Sequence, residues 1–325
     1  MKHLMFLVLS VVLLLLGCGI SPEFSHNVEG KVKPWTNENF PDLSVEEGEF
    51  SFAVIPDRAG TPRKGVFRTA MAKINMLQPD FVVSVGDLIQ GVPVDAKNSD
   101  SVDAQWKELC SMTESLKMPF FYCVGNHDLC RNTAKSPNRY MISKRAWEKN
   151  FGEQSYYSFV YRNALFIVLN SRENADKSYT LDPFSVKQQQ WAVETLKKYP
   201  EVRWTFVFMH HPEFNHSSFQ AIEKGLQGRN YTVFAGHTHR YIRYTRYNRN
   251  YYVVSTCGGV VPYEGEKYIP EHRGPEYGEM DHIVWVTLTK SGPVVANILL
   301  DGIVNDDVVT QDKNKVPGLE RLDRK

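Results

Sequence analysis

The sequence has almost no excess of one charge. Its 325 residues include 38 Lys and Arg against 37 Asp and Glu, which gives a formal net charge of +1 at pH 7. A protein dedicated to nucleic acid needs a surplus of basic residues to neutralise phosphates, so we expect no nucleic acid among the partners. Internal repeats and low-complexity segments are also absent. The composition, with 42% hydrophobic and 23% charged residues, is typical of a folded globular protein.

A hydrophobic run long enough to span a membrane is missing as well. The apolar stretch over residues 4–16 is shorter than the about 20 residues of a transmembrane helix, and it follows Lys2 and His3 as in an export signal. The stretch ends in Gly17-Cys18, which resembles the lipobox of bacterial lipoproteins. This resemblance implies that residues 1–17 are a lipoprotein signal peptide and that Cys18 is lipidated. A plain secretory signal is the alternative.

These features imply anchoring in the bacterial cell envelope. Loss of Lys2 with the signal peptide leaves 37 basic residues, equal to the number of acidic ones. A neutral body adds no attraction to anionic lipid, so the membrane contact must come from acyl chains. Gly19 rather than Asp follows Cys18, which favours the outer membrane, facing the periplasm. We expect the protein to be a monomer.

Cysteine is scarce beyond Cys18. The four others are Cys110, Cys123, Cys130 and Cys257, and their spacing matches no zinc pattern. An envelope compartment permits disulfides. Two interpretations stay open: one bridge, formed among the first three cysteines, or buried thiols.

Short apolar runs alternate with helical patterns, which predicts a layered α/β fold. Six runs are typical of buried strands: 50–55, 81–85, 120–124, 165–169, 204–209 and 231–235. Helical spacing marks residues 66–77, and Ser185 with Gln188 forms a capping box ahead of a further helix.

The remaining segments differ from this pattern. Residues 18–48 show little periodicity and are predicted to be a tether, and residues 303–325 are predicted to be a charged tail. Residues 240–256 and 283–300 are rich in strand formers without intervening helices. They are predicted to close a second sheet.

Polar motifs stand where the predicted strands end. They are Pro56-Asp57-Arg58, Gly86-Asp87-Leu88-Ile89-Gln90, Gly125-Asn126-His127-Asp128, Met209-His210-His211-Pro212 and Gly236-His237-Thr238-His239. The carboxyl ends of strands are where ligand sites assemble in open α/β sheets. Asp, Asn and His side chains suit Mn, Fe or Zn rather than a thiolate site. The sequence therefore predicts a divalent-metal site.

This set of motifs resembles the calcineurin-like metallophosphoesterase family over residues 49–302. The resemblance implies a two-sheet sandwich flanked by helices, with two divalent ions and a metal-bound hydroxide that attacks phosphorus. It also implies their ligands: Asp57 and His239 on the first ion, Asn126, His210 and His237 on the second, and Asp87 bridging both. By the same resemblance, His127 lies near the leaving group as a general acid or charge stabiliser.

One position departs from the family pattern. Ala59 stands where the usual Asp-x-His motif has its histidine, so the first ion lacks one nitrogen ligand. Gln90 follows Asp87 by three residues, where the related purple acid phosphatases have a tyrosine ligand. Its amide oxygen either binds the same ion or bonds the surrounding loop.

Other polar residues near the motifs carry less specific signals. Arg58 either clamps a substrate phosphate or forms a structural ion pair. His211 either contacts the substrate or packs without a special role. Asp281 and His282 are interpreted as strand-edge residues.

Two functions stay open. The first is a metal-dependent phosphoesterase that hydrolyses phosphate mono- or diesters; the alternative is a non-catalytic binding lipoprotein with the same fold. The motif histidines favour the enzyme, because a scaffold has no physical need for them. Substrate choice is expected in residues 91–106, 130–140 and 258–280. The last segment contains Tyr263, Tyr268 and Tyr277.

Overall fold

The computed structural model describes residues 24–43, 48–93, 99–175, 183–260 and 278–300, and the backbone of 304–305 and 320–321. The predicted signal peptide, Cys18 and the three tyrosines of residues 261–277 lie outside this part. None of the described helices is long and apolar enough to cross a membrane.

The strands are β1 (Phe24–His26), β2 (Phe50–Ile55), β3 (Phe81–Ser84), β4 (Phe120–Phe121), β5 (Tyr157–Tyr161), β6 (Ala164–Val168), β7 (Trp204–Phe208), β8 (Tyr231–Ala235), β9 (Ile242–Arg246), β10 (Arg249–Val253), β11 (His282–Thr289), β12 (Gly292–Leu299), β13 (Val304–Asn305) and β14 (Glu320–Arg321). The helices are α1 (Val66–Leu77), α2 (Asp100–Thr113), α3 (Arg139–Phe151), α4 (Val186–Lys198) and α5 (Ser217–Leu226).

These strands form two sheets that pack face to face. Within the described residues, one sheet has the order β1-β5-β6-β7-β8-β10-β9-β14 and the other β13-β12-β11-β2-β3-β4. Each sheet has a parallel core: β2, β3 and β4 in the second, and β6, β7, β8 and β10 in the first. The motifs collect at one edge because parallel strands end on the same side.

Phenylalanine rings fill much of the space between the sheets. Side chains alternate along each strand, so Phe52 and Val54 face this space while Ala53 and Ile55 face the opposite side. Phe52 stacks on Phe81 with ring centroids 5.3 Å apart. Burying one such side chain stabilises the fold by about 1.5–3 kcal/mol.

Helices cover the outer faces of both sheets. Phe67 of α1, Trp106 of α2 and Trp147 of α3 pack on the β2–β3 side. Leu196 of α4 and Ile222 of α5 pack on the β6–β8 side. The predicted α/β fold, a two-sheet sandwich flanked by helices, is confirmed.

Residues 24–43 correct the prediction of a tether over residues 18–48. β1 pairs with β5 in antiparallel register, with Phe24 opposite Tyr161. Trp35 is buried among the aromatic rings between the sheets. The hydrophobic effect holds this segment on the domain through isolated aromatic side chains, which leave no periodic signal in the sequence.

The end of β1 that carries Phe24 lies opposite the edge with the motifs. Phe24 pairs with Tyr161, and Tyr161 pairs with Ala164 at the start of β6. Ala164 in turn pairs with Trp204 at the start of β7. The chain before Phe24 therefore joins the domain at the edge where β6 and β7 begin.

The later strands correct two further predictions. Residues 240–256 and 283–300 do not close one sheet: β9 and β10 join the first sheet, while β11 and β12 join the second beside β2. The predicted tail, residues 303–325, includes β13, which pairs with β12, and β14, which pairs with β9.

Candidate metal centre

The loops after β2, β3, β7 and β8 meet at one edge of the sandwich. The backbone N–H groups of Arg58 and Ala59 donate to the carbonyl of Asp87 at 3.0 and 2.7 Å, which joins the first two loops. The N–H of Gly236 donates to the carbonyl of His210 at 2.8 Å, which joins the other two. These bonds join the four loops in two pairs, and the backbone N–H of His237, which donates to the Asp57 carboxylate, connects the pairs.

Asp57 and His239 form one side of the cluster. The His239 Nε2 lies 3.3 Å from the Asp57 Oδ2, which also accepts from the backbone N–H of His237 at 2.9 Å. The other carboxylate oxygen, Asp57 Oδ1, is buried and has no hydrogen-bond partner in the described part of the chain. A buried anionic oxygen without a donor is costly, and a cation would compensate it.

Asp87, Asn126 and His210 form the other side. The His210 Nε2 lies 3.2 Å from the Asp87 Oδ2 and 3.0 Å from the Asn126 Oδ1. One ligand atom from each of Asp57, Asp87 and His210 lies within 4.8 Å of the others. His237 contacts this group, with its ring 5.1 Å from that of His210. All six predicted ligands are therefore brought together.

Hydrogen bonds fix the tautomers of two of the histidines. The Nδ1 of His210 lies 3.0 Å from the carbonyl oxygen of Val85, and the Nδ1 of His239 bonds the carbonyl of Val260. A carbonyl only accepts, so each Nδ1 carries the proton and donates it. In the neutral ring, the Nε2 then presents a lone pair to the cluster. This is the arrangement by which proteins hold metal-binding histidines.

The charges of the cluster favour a cation at its centre. Burial lowers the pKa of His210, but Asp87 and Asp57 outweigh burial and raise it to about 9. Burial raises the pKa of Asp87, but the attraction of His210 reverses this effect and the net pKa is lowered. Burial and His210 lower the pKa of His237 to about 4. The residues present thus fit divalent metal ions. One carboxylate oxygen of Asp57 lacks a donor, His210 and His239 present lone pairs to the cluster, and the carboxylates attract positive charge.

His127 lies at the mouth of the cluster. Its backbone N–H donates to the Asp87 Oδ1 at 2.7 Å, and its Nδ1 lies 3.0 Å from the carbonyl oxygen of Gln90, to which it donates. The Nε2 lies 4.0 Å from the Asp87 Oδ2. The ring is therefore anchored on one side and leaves its Nε2 on the side of the cluster.

Asp128 is a positioning residue that the sequence reasoning missed. Its carboxylate accepts from the backbone N–H groups of Asp87 at 2.7 Å, Leu88 at 3.0 Å, Ile89 at 3.2 Å and Gly125 at 2.8 Å. It thereby holds the loop of Asp87 against the loop of Asn126. Burial, and secondarily Asp87, raise its pKa to about 7. The sequence signal that could have identified Asp128 is its position in the motif Gly125-Asn126-His127-Asp128.

Close packing and backbone strain hold the carboxylates in place. A Cβ on Gly125 would lie 2.2 Å from the Asp87 Oδ1, and one on Gly236 would lie 2.3 Å from the Asp57 Oδ1, so both positions require glycine. Asp87, His237 and His239 have positive φ angles of 54°, 73° and 55°. Such strain costs about 1–3 kcal/mol per residue and collects at functional sites.

The side chains of Arg58 and Gln90 both bond neighbouring protein groups. The Arg58 guanidinium bonds the carbonyl of Leu88 and pairs with Glu108 at 3.1 Å, which is the structural ion pair. The Gln90 Oε1 accepts from the backbone N–H of Thr61 at 2.9 Å, which is the loop hydrogen bond. Ala59 is buried.

His211 lies against the cluster. Its ring centroid is 4.2 Å from that of His237, and its Nδ1 lies 3.0 Å from the Ser171 hydroxyl. Ligand atoms of His210, His211 and His237 lie within 4.8 Å of one another. His282 and Asp281 lie outside the cluster, bonded to other protein groups.

The four cysteines within the described residues form no disulfide bridge. The thiols of Cys110, Cys123, Cys130 and Cys257 are free. The last three are buried, as in the second of the two interpretations.

The chain is similar to several solved structures and to one family of sequences. Among solved structures, the chain is similar to one titled "Structure of PhoD", with 13% identity, a TM-score of 0.53, and coverage of 87% of this chain and 75% of that one. It is also similar to GAP50, the anchor in the inner membrane complex of Plasmodium (14% identity, TM-score 0.49, coverage 85% and 89%). A third is a putative 5'-nucleotidase from Staphylococcus aureus (12%, 0.42, coverage 82% and 56%).

The likeness to PhoD shows that the two chains share a fold. No curated protein matches the chain. The sequence model of the calcineurin-like phosphoesterases matches residues 50–241, a span that contains all six predicted metal ligands and His127. Sequence motifs, fold and family match coincide, and the chain belongs to the calcineurin-like phosphoesterase family.

Proposed function

We propose that this protein is a metal-dependent hydrolase of phosphate mono- or diesters that works at a dinuclear site. The observation that carries the proposal is the convergence of six ligand side chains in which His210 and His239 already turn their Nε2 atoms inward. The buried Asp57 Oδ1, which lacks a donor, supports the same conclusion.

The chain's residues divide between two ion positions. Asp57 and His239 would hold the first ion, and Asn126, His210 and His237 the second, with Asp87 shared. Divalent ions bound there supply Lewis-acid stabilisation of phosphoryl oxygens and acidify water. Because His210 must lose its proton to bind an ion, ion binding and proton release are coupled.

His127 would serve the leaving group. Hydrolysis breaks the bond between phosphorus and the leaving oxygen, and that oxygen needs a proton. The carbonyl of Gln90 keeps the Nδ1 of His127 protonated. In the imidazolium form, the Nε2–H then donates toward the leaving oxygen and returns the ring to its neutral tautomer.

We also propose that acyl chains on Cys18 anchor the protein in the cell envelope, with the outer membrane favoured. The support is the short apolar run that ends in Gly17-Cys18. Cys18→Ser should release the protein from the membrane fraction. A variant that stays membrane-bound like the parent would contradict this proposal.

Hydrolysis of p-nitrophenyl phosphate and bis(p-nitrophenyl) phosphate tests the enzymatic proposal. Protein that starts at residue 19 should hydrolyse at least one of them with added Mn, Fe or Zn, and a chelator should abolish the activity. The ratio of the two rates would separate monoesterase from diesterase. Absence of hydrolysis with all three metals would favour the non-catalytic alternative.

A further inference from the structure

A basic cavity opens beside the metal ligands. It has a volume of about 320 Å³ and is lined by three arginines (Arg131, Arg139 and Arg172) and three histidines (His127, His211 and His237). None of the described residues that line it is acidic. The cavity therefore places a cluster of positive charge next to His127, on the side of the metal centre where the leaving group would lie.

The arginines of this cavity lack carboxylate partners in the described part of the chain. Arg139 donates to the carbonyl of Val92, at 3.0 Å from Nε and 2.6 Å from Nη2, and Arg172 donates from Nε to the carbonyl of Leu129 at 3.4 Å. Arg131, which also lines the cavity, forms no hydrogen bond or ion pair with the described residues. By contrast, Arg63 and Arg246 each pair with a carboxylate, at 2.5 and 3.1 Å.

Burial makes this arrangement unfavourable without an anion. Burial is the main cause that lowers the pKa of Arg172, and the neighbouring charge of Arg131 lowers it further. Asp87, already a candidate metal ligand, is the acidic group that opposes this effect most strongly. Like charges placed close together repel, and an anion bound between them would relieve the repulsion.

We infer that the substrate carries a second anionic group, a phosphate or a carboxylate, on its leaving-group side, and that Arg131, Arg139 and Arg172 bind it. A planar guanidinium suits both groups because it donates two parallel hydrogen bonds. The cavity has the size of a small-molecule pocket rather than of a single ion. His127 lines it, which places the anionic group beyond the leaving oxygen. This inference rests on the proposed function.

Three aryl esters test it: phenyl phosphate, 4-carboxyphenyl phosphate and 1,4-phenylene bisphosphate. The parent protein should have a higher kcat/KM for one or both charged esters than for phenyl phosphate, and which ester it prefers separates carboxylate from phosphate. Arg131→Gln should lower the ratio of kcat/KM for the preferred charged ester to kcat/KM for phenyl phosphate by about tenfold, as expected for one charge-assisted hydrogen bond. Arg131→Lys should keep part of this preference.

The matched control is Arg145→Gln, an exposed arginine on α3 that does not line the cavity. It should leave the ratio unchanged. A parent with no preference for charged esters, or an Arg131→Gln variant with an unchanged ratio, would overturn the inference. An equal loss on all three esters would also overturn it, because it would place the arginine on the reacting phosphoryl group.

Calorimetry separates this inference from the proposed function. Chelator-treated protein should bind 4-carboxyphenyl phosphonate, which cannot be hydrolysed in this way, more tightly than phenyl phosphonate. Arg131→Gln and Arg172→Gln should remove that difference. If the parent hydrolyses no ester, the proposed function fails while this binding measurement still decides the subsite. Equal binding of both phosphonates would contradict it.

Discussion

Two fully buried histidines of this protein have opposite environments. His282 is satisfied at both nitrogens: its Nε2 accepts from the backbone N–H of Ser255 at 2.9 Å, and its Nδ1 donates to the Asn297 Oδ1 at 2.9 Å. The Nδ1 of His210 donates to the carbonyl of Val85, while its Nε2 meets two acceptors, at 3.2 Å from the Asp87 Oδ2 and 3.0 Å from the Asn126 Oδ1. Burial is equal, so the acceptors that face the Nε2 make the difference.

The pKa values express this difference. Burial lowers the pKa of His282 to about 4, whereas the carboxylates raise that of His210 to about 9. The region around His282 is complete without a ligand, since each nitrogen has a protein partner. The region around His210 contains more acceptors than donors. A buried histidine thus indicates a metal site only when its second nitrogen meets such a surplus of acceptors.

The largest expected effect comes from removing the shared acceptor. Asp87→Ala should lose both ions, because its carboxylate faces both halves of the cluster. Hydrolysis should fall by about three orders of magnitude, on the scale of losing a transition-state charge stabiliser. Metal analysis and rate measurements check this, with Asp42→Ala as the exposed control. A full metal complement in Asp87→Ala would refute the bridging role.

The next largest effect is a loss of stability in acid that comes from His282. Its pKa is depressed in the folded state, so the unfolded chain binds more protons between pH 6.5 and 4. The stability that this residue contributes is therefore present above pH 6.5 and is lost as the pH falls through that window. From pH 7 to pH 5 the loss should be about 2 kcal/mol.

Denaturant unfolding of the parent and of His282→Gln at both pH values measures this contribution. The variant should be less stable at pH 7 but should lose less stability on acidification, and its metal content should match that of the parent. Equal acid sensitivity of the two proteins would contradict the prediction.

A smaller effect is expected at Asp128, which supports the metal ligands without joining them. Asp128→Asn keeps one acceptor oxygen and turns an amide donor toward backbone N–H groups. Metal affinity should fall about 10–100-fold. Asp80→Asn is the matched control, because Asp80 is also buried and accepts from Tyr161 and Ser51 far from the ligands. Asp80→Asn should lower stability and leave metal affinity unchanged. Equal metal affinity in the parent, Asp128→Asn and Asp80→Asn would contradict the supporting role of Asp128.

The smallest effect should come from the half of the centre that holds Asp57 and His239, where Ala59 replaces the second histidine of the family pattern. Metal titration of the parent should show a tight and a loose phase, and Ala59→His should tighten the loose one by roughly tenfold. Ala59→Leu adds bulk without a ligand atom and should not tighten the loose phase. Gln90→Ala should change neither phase, since its Oε1 already bonds Thr61. A single tight phase in the parent would show that another residue completes this half.

Local pattern was sufficient for much of the fold. The bounds of β2, β8 and α1 agree with the sequence prediction, because buried strands and amphipathic helices have strong periodic signals. The pairing of β11 with β2 was not predictable, since a strand's composition does not encode a partner more than 200 residues away. β5 was missed, although it lies between β1 and β6 in the sheet.

The candidate site was predictable to the level of its ligands. Motif order suggested Asp57, Asp87 and His210, and the structure brings them together. It could not reveal what the second nitrogen of each ring contacts, because the carbonyl partner of His210 is Val85, 125 residues earlier. It also gave no indication that Arg172 lines the same cavity as His127, since they lie on loops from different sheets.

The position of β1 determines how an anchored molecule would be oriented. Only five residues would separate a lipidated Cys18 from Phe24, a reach of about 20 Å at full extension. Phe24 lies at the edge where β6 and β7 begin, whereas His210 follows the far end of β7. A short tether at one pole would thus direct the metal centre away from the bilayer. Such an enzyme would act on diffusible phosphoesters in the aqueous space and not on the headgroups of the membrane that holds it.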